Sequence, residues 1–301
     1  MEVATRLLKM QVNTACGMSH IEDARRYLDS MVISSSALSA MQIREVVHEK
    51  FRGHWFSAEN TEPPVIVLYF HGGGYCFYPK AYASFIALIT LTTKSRTFAL
   101  DYRLTPEHRF PAQLEDALNA YRWLLDNGTD PHHLVLVGDS AGGNITLTLL
   151  LQARHTKLPL PALAIALSPP TNFESEIVGN DFDWIDKRAL LKWRDWFCDP
   201  SQRHNPLVSP LWADLHGLPP IYIQAGRAEV LYDSIQAFAD RARSQGADVL
   251  LESWEDMNHN FQIFGPDAPQ SVDALRRIGE VMDARVRRRG TNRSISMAKV
   301  V

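Results

Sequence analysis

A glycine-rich turn between two apolar stretches is the feature that most constrains this chain. The apolar run 134–137 precedes Gly138-Asp139-Ser140-Ala141-Gly142-Gly143, and the apolar run 145–151 follows it. These runs predict a buried strand that leads directly into a helix. The pattern G-x-S-x-G is typical of a nucleophile elbow, a strained turn in which small neighbours expose a serine at the top of a sheet. Ser140 is therefore the candidate nucleophile, and a glycine-rich turn with an incidental serine is the alternative.

A second glycine run follows an earlier apolar strand. The run 64–70 predicts a buried strand, and His71-Gly72-Gly73-Gly74-Tyr75 comes directly after it. In enzymes with a nucleophile elbow, such a run supplies backbone N–H groups to the oxyanion, together with the N–H of the residue after the serine. We therefore expect Gly73, Gly74 and Ala141 to form an oxyanion hole. A phosphate-binding loop is excluded, because neither glycine signature of such loops is present.

These two motifs, with the segment 101–112 between them, resemble the hormone-sensitive-lipase branch of the α/β-hydrolase fold. The resemblance extends from about residue 44 to the helix after residue 259. It implies a mostly parallel central sheet flanked by helices, a helical cap over the active site, and a Ser–acid–His triad. It also implies that the protein is an esterase and that His71 is structural rather than a second base.

The acid and the histidine of such a triad follow the serine, on loops after the last two strands. His259 lies just after the predicted final strand 249–254, and Glu229 lies in the loop after the predicted strand 220–226. We therefore predict a catalytic triad of Ser140, Glu229 and His259. The family pattern G-x-x-D-x-L-x-D has aspartate at the first acidic position, so Glu229 is a departure from it, and Asp233 is the rival acid.

The order of elements predicts an α/β core with a cap. Strands and helices alternate at short spacing, which indicates parallel βαβ units. We expect the core over residues 43–170 and 216–290, N-terminal cap helices over 1–42, a cap insertion over 171–215 and a disordered tail over 291–301. The insertion holds most of the seven tryptophans. Aromatic side chains concentrated there fit a lid over an apolar pocket, and a helical insertion with its own small core is the alternative.

The expected pocket accepts an apolar group of moderate size. Its predicted lining residues are Tyr75, Phe77, Trp184, Trp193 and Met257. The predicted function is that of a serine carboxylic ester hydrolase acting on small to medium apolar acyl esters through an acyl-enzyme, without a cofactor or metal ion. An acyltransferase or a lyase or dehydratase of specialised metabolism is the alternative on this scaffold. A ligand-binding receptor is a weaker one, because His259 is intact.

Composition limits the partners and the compartment. The chain has 301 residues, 46% of them hydrophobic, and a net charge of −3, so no basic field indicates binding to nucleic acid. No apolar run is long enough to span a bilayer, and the N-terminus lacks the pattern of a targeting signal. The three cysteines are far apart and odd in number, which indicates a reducing compartment. We expect a cytoplasmic protein with a small-molecule ester substrate, and leave a homodimer open.

Overall fold

An eight-stranded sheet forms the centre of the computed structural model, which describes residues 2–31, 35–58, 64–177 and 182–287. The strands are β1 (Met41–His48), β2 (Phe51–Ala58), β3 (Ile66–Phe70), β4 (Arg96–Asp101), β5 (Leu134–Asp139), β6 (Leu163–Leu167), β7 (Ile221–Gly226) and β8 (Val249–Trp254). Their order across the sheet is β1-β2-β4-β3-β5-β6-β7-β8. The pairs β1/β2 and β2/β4 are antiparallel, and all the others are parallel. The carboxyl ends of β3 and β5 to β8 therefore meet at one edge of the sheet.

Helices cover both faces of this sheet. The α-helices of the described residues are α1 (Glu2–Gly17), α2 (Ile21–Asp29), α3 (Ser36–Ser39), α4 (Tyr82–Thr93), α5 (Ala112–Asp126), α6 (Ala141–His155), α7 (Lys187–Phe197), α8 (Tyr232–Ser244) and α9 (Pro269–Met282). One core cluster joins α5, α6 and α8 to one face of the central strands, and a second joins α4 and α9 to the other face. Burial on both faces explains why the central strands read as nearly continuous apolar runs. The predicted fold class is confirmed.

Side chains alternate between the two clusters along each strand. On β5, Leu134 and Leu136 belong to the first cluster, whereas Val135 and Val137 belong to the second. This alternation is the two-residue period of an extended strand. Because both faces are packed, a shift of β5 by one residue would exchange the two sets, so the packing fixes the register that places Ser140 at the sheet edge.

The last helix differs in one detail from the sequence pattern. Its spacing predicts that Val272 points inward with Leu275, Ile278 and Met282. The latter three are buried, but Val272 is 46% exposed. Ser271 and Ala274 are buried instead, so the inward face of this helix passes through Ser271 in its first turn and leaves Val272 beside it, toward solvent. No helix within the described ranges is both long and apolar enough to cross a membrane.

A separate apolar cluster joins the N-terminal helices to α7. Val12, Ala15 and Leu28 belong to it, together with Trp184 and Trp193 from the region before and within α7. This packing supports the division into a cap formed by two distant parts of the chain and an α/β core. The precise boundaries stay a prediction, and the expected tail 291–301 lies outside the described residues.

Candidate active site

Ser140 occupies the turn between β5 and α6. Its φ of 51° and ψ of −120° are strained for a residue with a side chain. The glycines on either side make this turn possible. A Cβ on Gly138 would collide with the carbonyl group of Gly142, and one on Gly142 would collide with the carbonyl group of Phe70. The turn therefore has the close strand–helix approach that the G-x-S-x-G pattern predicts.

His259 is in hydrogen-bonding contact with this serine. Its Nε2 atom lies 2.8 Å from Oγ of Ser140, although the two residues are 119 positions apart in the sequence. His259 lies in the loop between β8 and a short 3₁₀ segment that starts at Phe261, and it is fully buried. The structure thus brings together the predicted nucleophile and the predicted base.

Glu229 is the acid on the other side of this imidazole. Its Oε2 atom lies 3.4 Å from Nδ1 of His259, which is an ion-pair contact rather than a short hydrogen bond. The residue is 4% exposed, and burial raises the pKa of its carboxyl group. The rival acid, Asp233, is exposed in the first turn of α8. Of the two candidates, Glu229 is the one in contact with the histidine.

The pKa of His259 reflects opposing effects. Burial alone lowers it, because the charged imidazolium loses its hydration. The close contact and charge of Glu229 raise the pKa, as do the nearby charges of Asp183 and Asp139, and the net direction is upward. Three acidic side chains therefore favour the protonated imidazole. This is the form that His259 would adopt after accepting a proton as a general base.

The glycine run forms the opposite wall. Gly73 and Gly74 adopt φ values of 94° and 60°, which favour glycine. A Cβ on Gly73 would collide with the carbonyl oxygen of Phe77, and one on Gly74 would lie 2.5 Å from the indole of Trp193. Within the described residues, the N–H groups of Gly73, Gly74 and Ala141 donate to no protein acceptor. These donors are available to a ligand.

His71 braces the glycine run without reaching Ser140. Its ring stacks between the rings of Tyr78 and Tyr102, at centroid distances of 3.8 and 4.0 Å. Its Nδ1 lies 2.7 Å from the carbonyl oxygen of Gly72, and the Tyr102 hydroxyl donates to the carbonyl oxygen of His71. Burial lowers the pKa of His71 to about 3, so the ring is neutral at physiological pH.

Asp139 is hydrogen-bonded to several parts of the site, a role that the sequence motifs do not reveal. Its buried carboxylate accepts hydrogen bonds from the Tyr69 and Tyr82 hydroxyls, from the backbone N–H of Gly72 at 3.1 Å and from the side-chain amide of Asn260 at 2.6 Å. Burial raises the pKa of Asp139, and its donors oppose that shift. An acidic residue at the end of an otherwise apolar strand, beside the nucleophile, is the signal that could have pointed to it.

A cavity of about 320 Å³ opens beside Ser140. Ala141, Gly74, Tyr75 and Trp193 line it, so two of the five predicted pocket residues lie where the sequence placed them. The other three lie elsewhere. Phe77 packs within the cap cluster, the Trp184 indole bonds to the backbone of His259, and Met257 packs in a small cluster with Phe261 and Ala274.

The residues that replace them come from the cap and from the loop between β7 and α8. Those that line the cavity include Phe173, Ile177, Leu190, Leu211, Val230 and Leu231. Most are aliphatic, whereas the sequence prediction relied on aromatic side chains. Aliphatic residues in a cap give no signal of their own, because the same residue types form every core cluster of the molecule.

Comparisons with known proteins place this geometry in a family. The family model for the alpha/beta hydrolase fold matches residues 67–263. An acetyl-hydrolase of Streptomyces hygroscopicus is 34% identical over 215 residues, which cover 69% of this chain and 72% of the relative. An esterase of Acinetobacter venetianus is 29% identical over 284 residues, covering 91% and 93% of the two chains. A solved esterase from the bacterial hormone-sensitive lipase family superposes with a TM-score of 0.83 at 32% identity, covering 94% of this chain and 98% of that one.

Geometry and relatives agree on one class, a serine hydrolase of the carboxylesterase type. The chain belongs to the α/β-hydrolase family, within the esterase branch related to hormone-sensitive lipase. The predicted family and enzyme class are confirmed. The alternatives of acyl transfer, elimination and ligand reception are not favoured, because these relatives are named hydrolases and esterases.

Proposed function

We propose that this protein hydrolyses small to medium apolar acyl esters, with Ser140 as nucleophile, His259 as general base and Glu229 as the acid of the triad. The observation that carries the proposal is the 2.8 Å contact between Oγ of Ser140 and Nε2 of His259. A serine hydroxyl is a weak nucleophile at neutral pH and needs a base at hydrogen-bonding distance. The contact supplies that base without any rearrangement.

The reaction proceeds in two halves. Oγ of Ser140 attacks the ester carbonyl carbon while Nε2 of His259 takes the hydroxyl proton, and the imidazolium then gives this proton to the departing alcohol. The acyl-enzyme that remains is attacked by water, which His259 deprotonates in the same way. Glu229 stays ionised beside Nδ1 and stabilises the imidazolium in both halves.

The free N–H groups of Gly73, Gly74 and Ala141 are the donors for the oxyanion that forms in each half. Donors held in place by the backbone need little reorganisation when the negative charge develops on the carbonyl oxygen. Loss of one such donor costs about 3 kcal/mol of transition-state stabilisation. No metal ion or cofactor is needed for this chemistry.

The cavity supports a preference for short acyl or alcohol groups. Its volume of about 320 Å³ lies at the lower end of the range for small-molecule sites. The apolar side chains of Leu190, Leu211 and Val230 offer contacts to a hydrocarbon group, and the charged Glu176, Arg194 and Asp233 also line the cavity. A long chain would extend beyond this volume.

A series of p-nitrophenyl esters tests the proposal. The wild type should hydrolyse the acetate, butyrate and octanoate readily and the palmitate poorly. Ser140→Ala should reduce kcat by at least about 10⁴-fold. Ser244→Ala, which changes an exposed serine at the end of α8, is the matched control and should retain wild-type rates. Fastest turnover of palmitate would contradict the size preference, and equal turnover by Ser140→Ala would exclude Ser140 as nucleophile.

A further inference from the structure

Asp183 is a buried carboxylate in the cap segment that leads into α7, and it contacts both loops that carry the acid and the base. Its Oδ1 atom accepts the backbone N–H of His259 at 3.1 Å. Its Oδ2 atom accepts the backbone N–H of Val230, the residue after Glu229, at 2.9 Å. Asp183 is 1% exposed. One carboxylate of the cap thus joins the acid loop to the histidine loop.

The next residue of the cap completes the contact with the histidine. The indole Nε1 of Trp184 donates to the carbonyl oxygen of His259 at 2.5 Å. Both backbone polar groups of His259 are therefore bonded to two consecutive side chains of the cap. Two such bonds fix the position and the tilt of the peptide units from which the imidazole projects.

The N-terminal helix supports the same junction from the other side. Nζ of Lys9 in α1 donates to the carbonyl oxygen of Asp183 at 2.9 Å. The side-chain amide of Asn258, the residue before His259, donates to Oγ1 of Thr5 at 3.2 Å. Both parts of the cap therefore meet the histidine loop, through α1 and through the segment before α7.

The charge of Asp183 also acts on the imidazole. The acidic groups around His259 are Glu229 at the ring, Asp183 on the cap side and Asp139 on the core side, and all three raise the pKa of His259 against the effect of burial. Removal of any one of these charges therefore lowers this pKa.

We propose that Asp183 is a positioning residue through which a docked cap holds Glu229 and His259 in the alignment that the reaction requires. This inference rests on the proposed function of Ser140, His259 and Glu229. A carboxylate that accepts two backbone N–H groups from different loops fixes their separation, which a neutral side chain cannot do equally well. In an asparagine at this position, the side-chain NH₂ group would face one of the two backbone N–H donors and could not accept its hydrogen bond.

Two substitutions separate the charge of Asp183 from its geometry. Asp183→Asn removes the charge and keeps the shape, whereas Asp183→Glu keeps the charge and displaces the acceptor atoms. The matched control is Asp186→Asn, three residues further on, because Asp186 caps α7 by accepting the N–H of Arg188 and asparagine caps a helix equally well. Each variant is measured for kcat, KM and the pH dependence of kcat/KM with p-nitrophenyl butyrate.

Asp183→Asn should lower kcat by about 10- to 100-fold, since small misalignments of reacting groups have effects of this size. KM should stay close to wild type, and the acid limb of kcat/KM should move to lower pH. Asp183→Glu should lower kcat without moving that limb. The control should match wild type in all three quantities. Equal losses in both Asp183 variants with an unmoved limb, or no loss in either, would overturn the proposal.

A second measurement covers the case in which Asp183→Asn does not fold. Trp184→Phe removes the indole donor to His259 and retains an aromatic ring, so kcat should fall while KM stays unchanged. Wild-type kcat in Trp184→Phe would then overturn the proposal. Labelling by a fluorophosphonate probe separates this inference from the proposed function. A wild type that does not react refutes the nucleophile itself, whereas a reactive wild type with equally fast labelling of the Asp183 variants refutes only the role of Asp183.

Discussion

The nucleophile side and the acid–base side of the site are held in different ways. Ser140 and the glycine run are fixed by the core, since the Ser140 N–H donates to Leu167 on β6 at 2.7 Å and Asp139 bonds the N–H of Gly72. The loops of Glu229 and His259 are bonded to the cap through Asp183. The turn of Ser140 is thus bonded to the core, and Gly74 of the glycine run lies against Trp193 of the cap, whereas the loops of the acid and the base are hydrogen-bonded to the cap directly.

Besides the contact between His259 and Ser140, a second hydrogen bond links the two sides. The Asn260 side chain, beside His259, donates to Asp139, beside Ser140. The histidine loop is thus held by the core at Asn260 and by the cap at His259. Substitutions on the two sides should therefore differ in both the kind and the size of their effects on the kinetics.

The largest effect should come from the pair that joins the two sides. His259→Ala should reduce kcat about as much as Ser140→Ala, by at least about 10⁴-fold, because each residue is ineffective without the other. The double variant should be no slower than either single one. The measurement is kcat for all three with p-nitrophenyl butyrate. Losses that multiply in the double variant would show that the two residues act independently.

Loss of the acid should have a smaller effect. Glu229→Gln should lower kcat by about 10²- to 10⁴-fold, because the amide cannot stabilise the imidazolium and favours the wrong tautomer. Asp233→Asn is the comparison, and its loss should be far smaller because Asp233 is exposed and does not contact His259. Steady-state kinetics of both variants decides between the two acids. A greater loss in Asp233→Asn would reverse the assignment.

On the nucleophile side, Gly74→Ala should lower kcat by about 10- to 100-fold. The new methyl group would press on the Trp193 indole and displace the N–H of residue 74. Gly128→Ala is the matched control, because Gly128 also has a positive φ, of 85°, but open space around its Cα. It should lower the melting temperature and leave kcat unchanged.

A second substitution tests the cause of the Gly74 effect. Trp193→Ala in the Gly74→Ala background should recover part of the lost kcat if the collision with the indole is the reason for the loss. The double-variant cycle is measured with the same ester. Strictly multiplicative losses would indicate that backbone strain at residue 74, rather than Trp193, is responsible.

The smallest expected effect concerns the pH dependence of kcat/KM, to which the two buried histidines, His259 and His71, should contribute differently. His259 must be neutral to act as a base, and its pKa is raised, so kcat/KM should fall as the pH drops through a value above the ordinary 6.5 of histidine. His71 has a pKa lowered to about 3 and stays neutral over the same range, so it should add no second step. A pH profile of kcat/KM measures both. An acid limb below 6.5 would contradict the raised pKa of His259.

The parts of the site that could be predicted most directly from the sequence are those formed by local motifs. Ser140 and the glycine run are each defined by adjacent residues, because a tight turn needs glycine at fixed positions. His259 and Glu229 are predicted from the order of strands together with the triad order of the fold, and the sequence leaves Asp233 as a rival acid. Asp183 gives no such signal, since its partners are backbone groups 47 and 76 positions away. The positions of Phe77 and Trp184 likewise depend on how the cap packs, and that of Met257 depends on its contacts with Phe261 and Ala274, which no local pattern determines.

The most direct test of activation of Ser140 by His259 is covalent labelling with a fluorophosphonate, followed by intact-mass and peptide mass spectrometry. The wild type should gain one adduct, located on Ser140, and His259→Ala should label far more slowly at neutral pH. An adduct on another residue, no adduct at all, or equal labelling of wild type and His259→Ala would contradict it.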